Sequence, residues 1–360
     1  MKILVGLSGG VDSSVAACLL KEAGHEVVGA TMSIWNKESH HNLPAQKNGC
    51  FSPHEEQDTQ EARALCETLG IPYRVIDCTE EYRRLVLENF KREYLSGRTP
   101  NPCVMCNASI KFKALPEKAA KDGIEFDKFA TGHYARLSFD GRTQRFRLQR
   151  AVDERKDQSY FLYRLQQERL AGIMLPLGNF TKDQVRETAR KYGLKVSDKP
   201  DSQDFYSGDI NDILQTEPQT GNFVDADGRI LGRHKGIWNY TTGQRKGLGI
   251  SAERPLYVME IRPETNEVVL GFDEERYRES LTAGNVNWVS VSGLERPVRA
   301  FCKVRSSQKP VPAEIVPRAG GSVEVVFQER QKASATGQSV VFYDEEGFVL
   351  GGGIIERNGQ

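Results

Sequence analysis

Apolar positions fall into short blocks separated by glycine- and proline-rich breaks. Residues 2–7 form an apolar run ending at Ser8-Gly9-Gly10, which predicts a buried strand entering a turn. Beyond it, Val15, Ala16, Leu19 and Leu20 recur at helical spacing up to Gly24, which predicts a helix over 12–22. Strand-like runs follow at 26–33, 73–76 and 128–134, and helical patterns at 59–69, 80–94 and 107–115. A polar loop at 37–58 and a Pro-rich loop at 98–102 interrupt them. Strands alternating with helices predict an α/β fold with a parallel sheet. The texture changes near residue 200. The stretch 201–278 is rich in Gly, Asp and turn pairs such as Asp227-Gly228 and Thr242-Gly243, with no long periodic helix after Leu214. From 285 onward, β-rich runs at 288–292, 298–304, 313–316, 323–327, 339–343 and 348–350 predict a small barrel or sandwich. The expected division is 1–200, 201–280 and 281–360.

Composition narrows the class. A length of 360 residues fits two to three domains at roughly 150 residues each. With 49 Lys+Arg against 49 Asp+Glu and 38% hydrophobic residues, the chain is neither disordered, collagenous nor a coiled coil. Its apolar opening is too short for a signal peptide, and no run approaches the ~20 residues that span a bilayer. Seven cysteines make no disulfide framework, so a cytoplasmic protein with reduced thiols and no membrane contact is expected. Overall neutrality hides three basic stretches. Residues 82–118 carry 8 Lys/Arg against 3 Asp/Glu. Residues 228–249 carry Arg229, Arg233, Lys235, Arg245 and Lys246 with no acid, and 301–318 carry Lys303, Arg305, Lys309 and Arg318 against Glu314. Each alone reads as a solvated face. Together they point to a polyanionic partner, because only the local field matters at a screening length of ~8–10 Å.

The most specific string is Ser8-Gly9-Gly10-Val11-Asp12-Ser13, between the first strand and the first helix. Two glycines let the backbone turn sharply and approach an anion. Free N–H groups at a helix start hold phosphate, and Ser8 and Ser13 add hydroxyl donors. Asp12 is odd in an anion cradle unless Mg²⁺ bridges it to phosphates. The Walker lysine is absent. The plainer reading is a glycine turn with an Asp or Ser cap. His133 reads either as catalytic or as a buried strand-end histidine with a backbone partner. His40, His41 and His54 flank Cys50, either as a metal site or in an exposed loop. Trp238 and Tyr240 either stack on bases or pack the central domain.

Ser8 to Ser13 resembles the PP-loop of the ATP pyrophosphatase superfamily. Four further strings are similar to the tRNA-specific 2-thiouridylases. They are TPNPCVMCN at 99–107 with Ile110-Lys111-Phe112, ATGHYAR at 130–136, KDQSYFL at 156–162 and GRHKGIWNYTTGQRKGLGI at 232–250. The resemblance runs from residue 2 to about 351. It implies an adenine nucleotide alpha hydrolase-like parallel-sheet domain, a small central domain and a C-terminal β-barrel. It implies an ATP-dependent sulfurtransferase that adenylates the C2 oxygen of the wobble uridine of tRNA and replaces it with sulfur. By the same resemblance Gly6, Leu7, Ser8, Gly9, Gly10, Val11, Asp12, Ser13, Met32 and Gly132 hold ATP with Mg²⁺. Asn101, Pro102 and Cys103 contact the target base. Lys156, Asp157, Gln158, Arg305 and Ser306 contact tRNA, Ser306 standing where the family has an aromatic. The implied partners are tRNAs for Lys, Glu and Gln and a sulfur donor such as a cysteine desulfurase or a sulfur-relay protein.

Sulfur transfer needs a thiolate. Cys106 aligns with the family's nucleophile and is expected at the start of helix 107–115, where the dipole, Lys111 and Lys113 favour the anion. The family's second cysteine, which holds the persulfide, falls in the stretch KPDSQDFY at 199–206. Here Tyr206 takes its place, and no cysteine lies between Cys106 and Cys302. Either Cys103 and Cys106 are the working pair, spaced for a Cys-x-x-C disulfide, or both ligate an iron–sulfur cluster completed by Cys50 or an outside ligand. Half of a structural zinc site is the other reading of the motif. The competing functions are a paralogous RNA thiolase that uses sulfide or a cluster, and a tRNA-binding protein with reduced catalysis.

Overall fold

A computed structural model of the chain describes residues 1–35, 49–52, 55–194, 196–197, 205–206 and 208–357. His40, His41, His54 and the stretch 199–204 lie outside the described residues. The first domain is built on β1 (Lys2–Gly6), whose Ile3, Leu4 and Val5 are all fully buried, as a strand covered on both faces requires. There follow α1 (Val11–Glu22), β2 (Glu26–Ser33), α2 (Glu55–Leu69) and β3 (Tyr73–Asp77). A helical run joins α3 (Thr79–Tyr82), a π turn at Arg83–Leu87 and α4 (Glu88–Leu95). A second joins α5 (Pro102–Cys106), a π turn at Asn107–Ala114 and α6 (Leu115–Lys121). The domain closes with β4 (Lys128–Thr131), the hairpin β5 (Ala135–Asp140) and β6 (Arg145–Arg150), α7 (Gln167–Ala171), β7 (Ile173–Met174) and α8 (Lys182–Lys191).

The parallel sheet has the order β3-β2-β1-β4-β7. The chain leaves β1 on one side through β2 and β3 and resumes on the other with β4. The carboxyl ends of β1 and β4 therefore flank the switch point where such sheets bind ligands. Two boundaries beside the site differ from the sequence reading. The expected helix at 59 begins at Glu55, whose carboxylate accepts the N–H groups of Ile34 and Trp35 at 2.8 and 2.9 Å and so ties it to the exit of β2. The expected strand 128–134 ends at Thr131, because Gly132 turns onto the start of α1.

The central domain holds α9 (Ile210–Leu214) and a sheet of β8 (Gly221–Val224), β9 (Ile230–His234), β10 (Tyr257–Arg262) and β11 (Glu267–Gly271), ordered β10-β11-β8-β9. Trp238 lies in its core, 3% exposed, and its indole N–H donates to Asn211 Oδ1 at 2.9 Å. Tyr240 packs its ring on Phe223 and His234. Trp238 follows the core-packing reading, while Tyr240 packs on the same core and stays partly exposed.

The last domain is a closed barrel, not a sandwich. β12 (Tyr277–Trp288), β13 (Val298–Lys303), β14 (Val311–Pro317), β15 (Val323–Lys332), β16 (Ser339–Tyr343) and β17 (Val349–Ile355) close in the order β12-β15-β14-β13-β16-β17. β12 pairs first with β15 and then with β17, and its pairing with β17 shifts register between Gly284 and Asn287 around Asn285 at φ 48°. That irregularity bends one strand across two neighbours and closes the barrel. The expected strand at 288–292 is therefore the end of β12 at Trp288. Phe112, Tyr160 and Tyr163 share one buried core with Val341, Tyr343 and Val349, so the first domain and the barrel are packed as one body.

Candidate active site

The loop after β1 has the form a phosphate cradle needs. Gly9 has φ +66°, and a Cβ there would lie 2.7 Å from the Asp58 carbonyl oxygen. The N-cap of α1 is Gly10, and no side chain caps the helix. This removes the reading of an ordinary turn capped by its own Asp or Ser. The Ser8 N–H donates to Ser13 Oγ at 3.2 Å, and Ser13 Oγ donates to the Gly10 carbonyl at 3.2 Å, so the loop is braced internally. A Cβ on Gly132 would come within 2.6 Å of Asp12 C and Ser13 N, so this glycine is required by close approach. Gly6, Leu7 and Met32 lie at the ends of β1 and β2 and Val11 opens α1, with Leu7 N–H donating to the Ala30 carbonyl at 2.8 Å.

Asp12 has partners that the sequence did not show. Lys182 Nζ lies 2.8 and 2.9 Å from its two carboxylate oxygens, and the Tyr134 hydroxyl donates to it at 2.7 Å. The carboxylate is thus paired with an ammonium, a partner beyond the Mg²⁺ expected from the sequence. Lys182 is 170 residues from Asp12, opens α8 next to its Thr181 cap, and carried no sequence signal.

The helical run that carries the thiols reaches the carboxyl end of β4, where its Phe112 ring lies 5.4 Å from that of His133. The helix carrying them starts at Pro102, with Asn101 as its cap, whose Oδ1 accepts the Val104 N–H at 3.2 Å. The expected start at Asn107 is thus a π turn inside a longer run. Cys103 sits in the first turn and is partly exposed, while Cys106 lies one turn deeper and is 9% exposed. The helix dipole acts within the first turn only. Burial pushes the Cys106 thiol up to about 12, and the ammonium of Lys111 only partly offsets this. The expectation that the helix start makes Cys106 a ready anion is therefore corrected: at neutral pH this thiol is protonated. Burial would lower the Lys111 ammonium, but the pull of Cys106, Cys50 and Cys103 outweighs it and raises it.

All seven cysteines are free. Among the described residues no group of three or more His, Cys, Asp or Glu side chains is placed to hold a metal ion. The iron–sulfur and zinc readings thus find no ligand set there. His133 is partly exposed, its Nδ1 is 2.8 Å from the Thr131 hydroxyl, and burial with Lys111 nearby holds it down to about 3. Its ring partner is a side chain rather than the expected backbone group.

The remaining predicted residues divide. Asn101 lines a cavity of about 480 Å³ with Tyr160, Thr241, Arg305, Ser306 and Gln338, so all three domains contribute to it. A larger cleft of about 870 Å³ between the central domain and the barrel contains none of the predicted residues. Arg305 is exposed at the smaller cavity. Asp157 is a correction. It is buried, its Oδ1 accepts the N–H groups of Ala151 and Ser159, and its other oxygen faces Arg150 and Lys303 at 3.5 and 3.7 Å. It ties the loop to the barrel and presents nothing to RNA. Gln158 likewise accepts the Tyr134 N–H at 2.9 Å, and Lys156 is half-buried. Tyr206 donates its hydroxyl to Asp212 at 2.9 Å.

Comparison with known proteins places this geometry. Residues 1–206 match the tRNA methyl transferase HUP domain, 210–272 the tRNA methyl transferase PRC-barrel domain and 278–355 the aminomethyltransferase beta-barrel domain. A tRNA-specific 2-thiouridylase MnmA of Endomicrobium trichonymphae is 51% identical over 361 residues, covering 99% of each chain. The chain belongs to the tRNA-specific 2-thiouridylase family. The proteins of that name from Clostridium botulinum and Acetivibrio thermocellus are 47% and 46% identical, each over 362 residues and 99% of this chain, and over 98% and 99% of their own. Family membership thus covers the cradle, the two thiols and the barrel together.

Proposed function

We propose that this 2-thiouridylase-family chain adenylates the C2 oxygen of a tRNA uridine with ATP and replaces that oxygen with sulfur. The carbonyl carbon of uridine is a poor electrophile, and AMP is a good leaving group. Pyrophosphate departs from the cradle at Ser8 to Ser13, where Lys182, oriented by Asp12, meets its charge. The target nucleotide leaves its stack to reach Asn101 and Pro102, a cost of a few kcal/mol that is least in an anticodon loop. Cys103 and Cys106 then perform the sulfur step, one carrying sulfur and the other resolving it as a disulfide. The observation that carries this reading is that the run bearing Cys103 and Cys106 packs its Phe112 ring 5.4 Å from that of His133, the neighbour of the Gly132 that closes on the uncapped start of α1. Methyl transfer, which two of the domain descriptions name, has no use for a phosphate cradle.

The tRNA surface is supported by charge. Arg229, Arg233, Lys235, Arg245 and Lys246 are all exposed, and among the described residues none is in an ion pair. Lysine, glutamate and glutamine tRNAs are the proposed substrates, and a protein persulfide from a cysteine desulfurase or relay protein the proposed sulfur source. The test is nucleoside mass spectrometry of total tRNA incubated with the protein, ATP and a persulfide donor, with AMP and pyrophosphate counted in parallel. The expected result is 2-thiouridine with one AMP and one pyrophosphate per thiolation. A protein that binds tRNA but releases no pyrophosphate overturns the proposal and leaves the non-catalytic reading.

A further inference from the structure

Cys50 borders the core that holds the thiol pair. The buried cluster around Cys106 contains Val104, Tyr82 and Phe51, the residue next to Cys50, and Cys50, Cys103 and Cys106 all lie within electrostatic reach of the half-buried Lys111. Their exposure is graded: Cys50 is exposed, Cys103 partly exposed and Cys106 buried. The placement of Cys50 is built by its neighbour. Phe51 is 1% exposed, its ring lies 5.5 Å from Tyr82 and 5.9 Å from Phe205, and its N–H donates to the Phe205 carbonyl at 3.0 Å. Tyr82 is itself within electrostatic reach of all three thiols. An aromatic plug therefore holds Cys50 at the mouth of the thiol site, beside the segment that carries Tyr206.

We propose that Cys50 is the entry thiol, which takes sulfur from a persulfide-bearing donor protein and hands it inward to Cys103. A protein donor cannot reach a buried thiol, and Cys50 is the exposed member of the three. The proposal rests on the reading of Cys103 and Cys106 as the working pair. The Cys50 thiolate attacks the outer sulfur of the donor persulfide, which breaks the donor S–S bond and leaves the donor thiolate and a Cys50 persulfide. The Cys103 thiolate then attacks the outer sulfur of Cys50, giving a Cys103 persulfide and restoring Cys50. Neither exchange changes the overall oxidation state. The Cys103 persulfide attacks C2 and displaces AMP. The Cys106 thiol gives up its proton, which ends on N3 of the base, and its sulfur attacks Cys103 Sγ; the Cys103 S–S bond breaks, which releases 2-thiouridine and leaves the Cys103–Cys106 disulfide. A thiol reductant supplies the two electrons that reopen it.

The experiment compares two donors, a persulfide-loaded cysteine desulfurase and glutathione persulfide, on wild type and Cys50→Ser, with Cys50→Ala as a second variant. The small donor reaches Cys103 directly. Each variant is expected to lose at least about tenfold in rate with the protein donor and to stay within about twofold with glutathione persulfide. Loading is read separately by peptide mass spectrometry without ATP or RNA, where Cys103→Ser should leave the added sulfur on Cys50. An unchanged rate with the protein donor, or an equal loss with both donors, overturns the relay. If Cys50 loads and unloads but wild type makes no 2-thiouridine with either donor, the relay stands and the thiouridylase reading fails.

Discussion

Cys106 decides how the chemistry is switched on. Burial holds its thiol near 12, so the free protein keeps it protonated and unreactive. Its alkylation by iodoacetamide should climb with pH through the alkaline range towards that value. Lys111→Met should slow it further at every pH, because the ammonium favours the anion. Peptide mass spectrometry of a pH series reads this, and a plateau near the ordinary thiol value of about 8.5 contradicts it. His133 acts on stability. Its pKa is about 3 when folded and near 6.5 when unfolded, so acid protonates the unfolded chain first. The stability is present above pH 6.5 and is lost as pH falls towards 3, by up to about 1.4 kcal/mol per pH unit. His133→Gln should flatten that limb in urea titrations. At this scale local spacing carries no information about what surrounds a side chain. Burial of Cys106 and Asp157 comes from chain segments far away, which no local spacing reports.

The elements that hold the site were partly legible. Ser8 to Ser13 was readable because a short apolar strand, two glycines and a helical period leave one geometry open. The thiol helix was misplaced by one turn. Its signal was present, since an asparagine followed by proline is a cap followed by a first-turn residue, but the same pair also marks a loop. Asn101→Ala should cost about 1 kcal/mol of stability and weaken thiolation more than stability, measured by thermal melting beside turnover. Gly132→Ala forces a Cβ to within 2.6 Å of the backbone of Asp12 and Ser13. It should raise the KM for ATP about tenfold or more while costing about 1–3 kcal/mol in stability. Calorimetric titration of an ATP analogue checks it, and unchanged affinity would remove Gly132 from the cradle. Lys182 could not be read from sequence, because its tie to Asp12 spans 170 residues and no spacing pattern links α1 to α8.

The whole molecule adds two consequences. The first domain and the barrel share one core, sealed by hydrogen bonds from Tyr160 to the Ser339 carbonyl at 2.8 Å and from Thr99 N–H to the Thr336 carbonyl at 2.8 Å. The barrel also has a core of its own, but this shared cluster, which includes Ile213 of the central domain, should make the three domains unfold in one calorimetric transition. The domain order and the barrel were foreseeable from strand texture, but their fusion was not, because it rests on pairs such as Ser159 and Tyr343, 184 residues apart. The exposed cations of the central domain belong to the same scale. Arg245→Ala with Lys246→Ala should weaken tRNA binding and reduce the salt dependence by about one to two counterions. The claim on which all of this depends is that the uridine oxygen leaves on AMP. Uridine carrying heavy oxygen at C2 of the substrate tRNA tests it in one turnover. The account predicts that the AMP released contains the label in its phosphate, whereas unlabelled AMP formed alongside 2-thiouridine would contradict it.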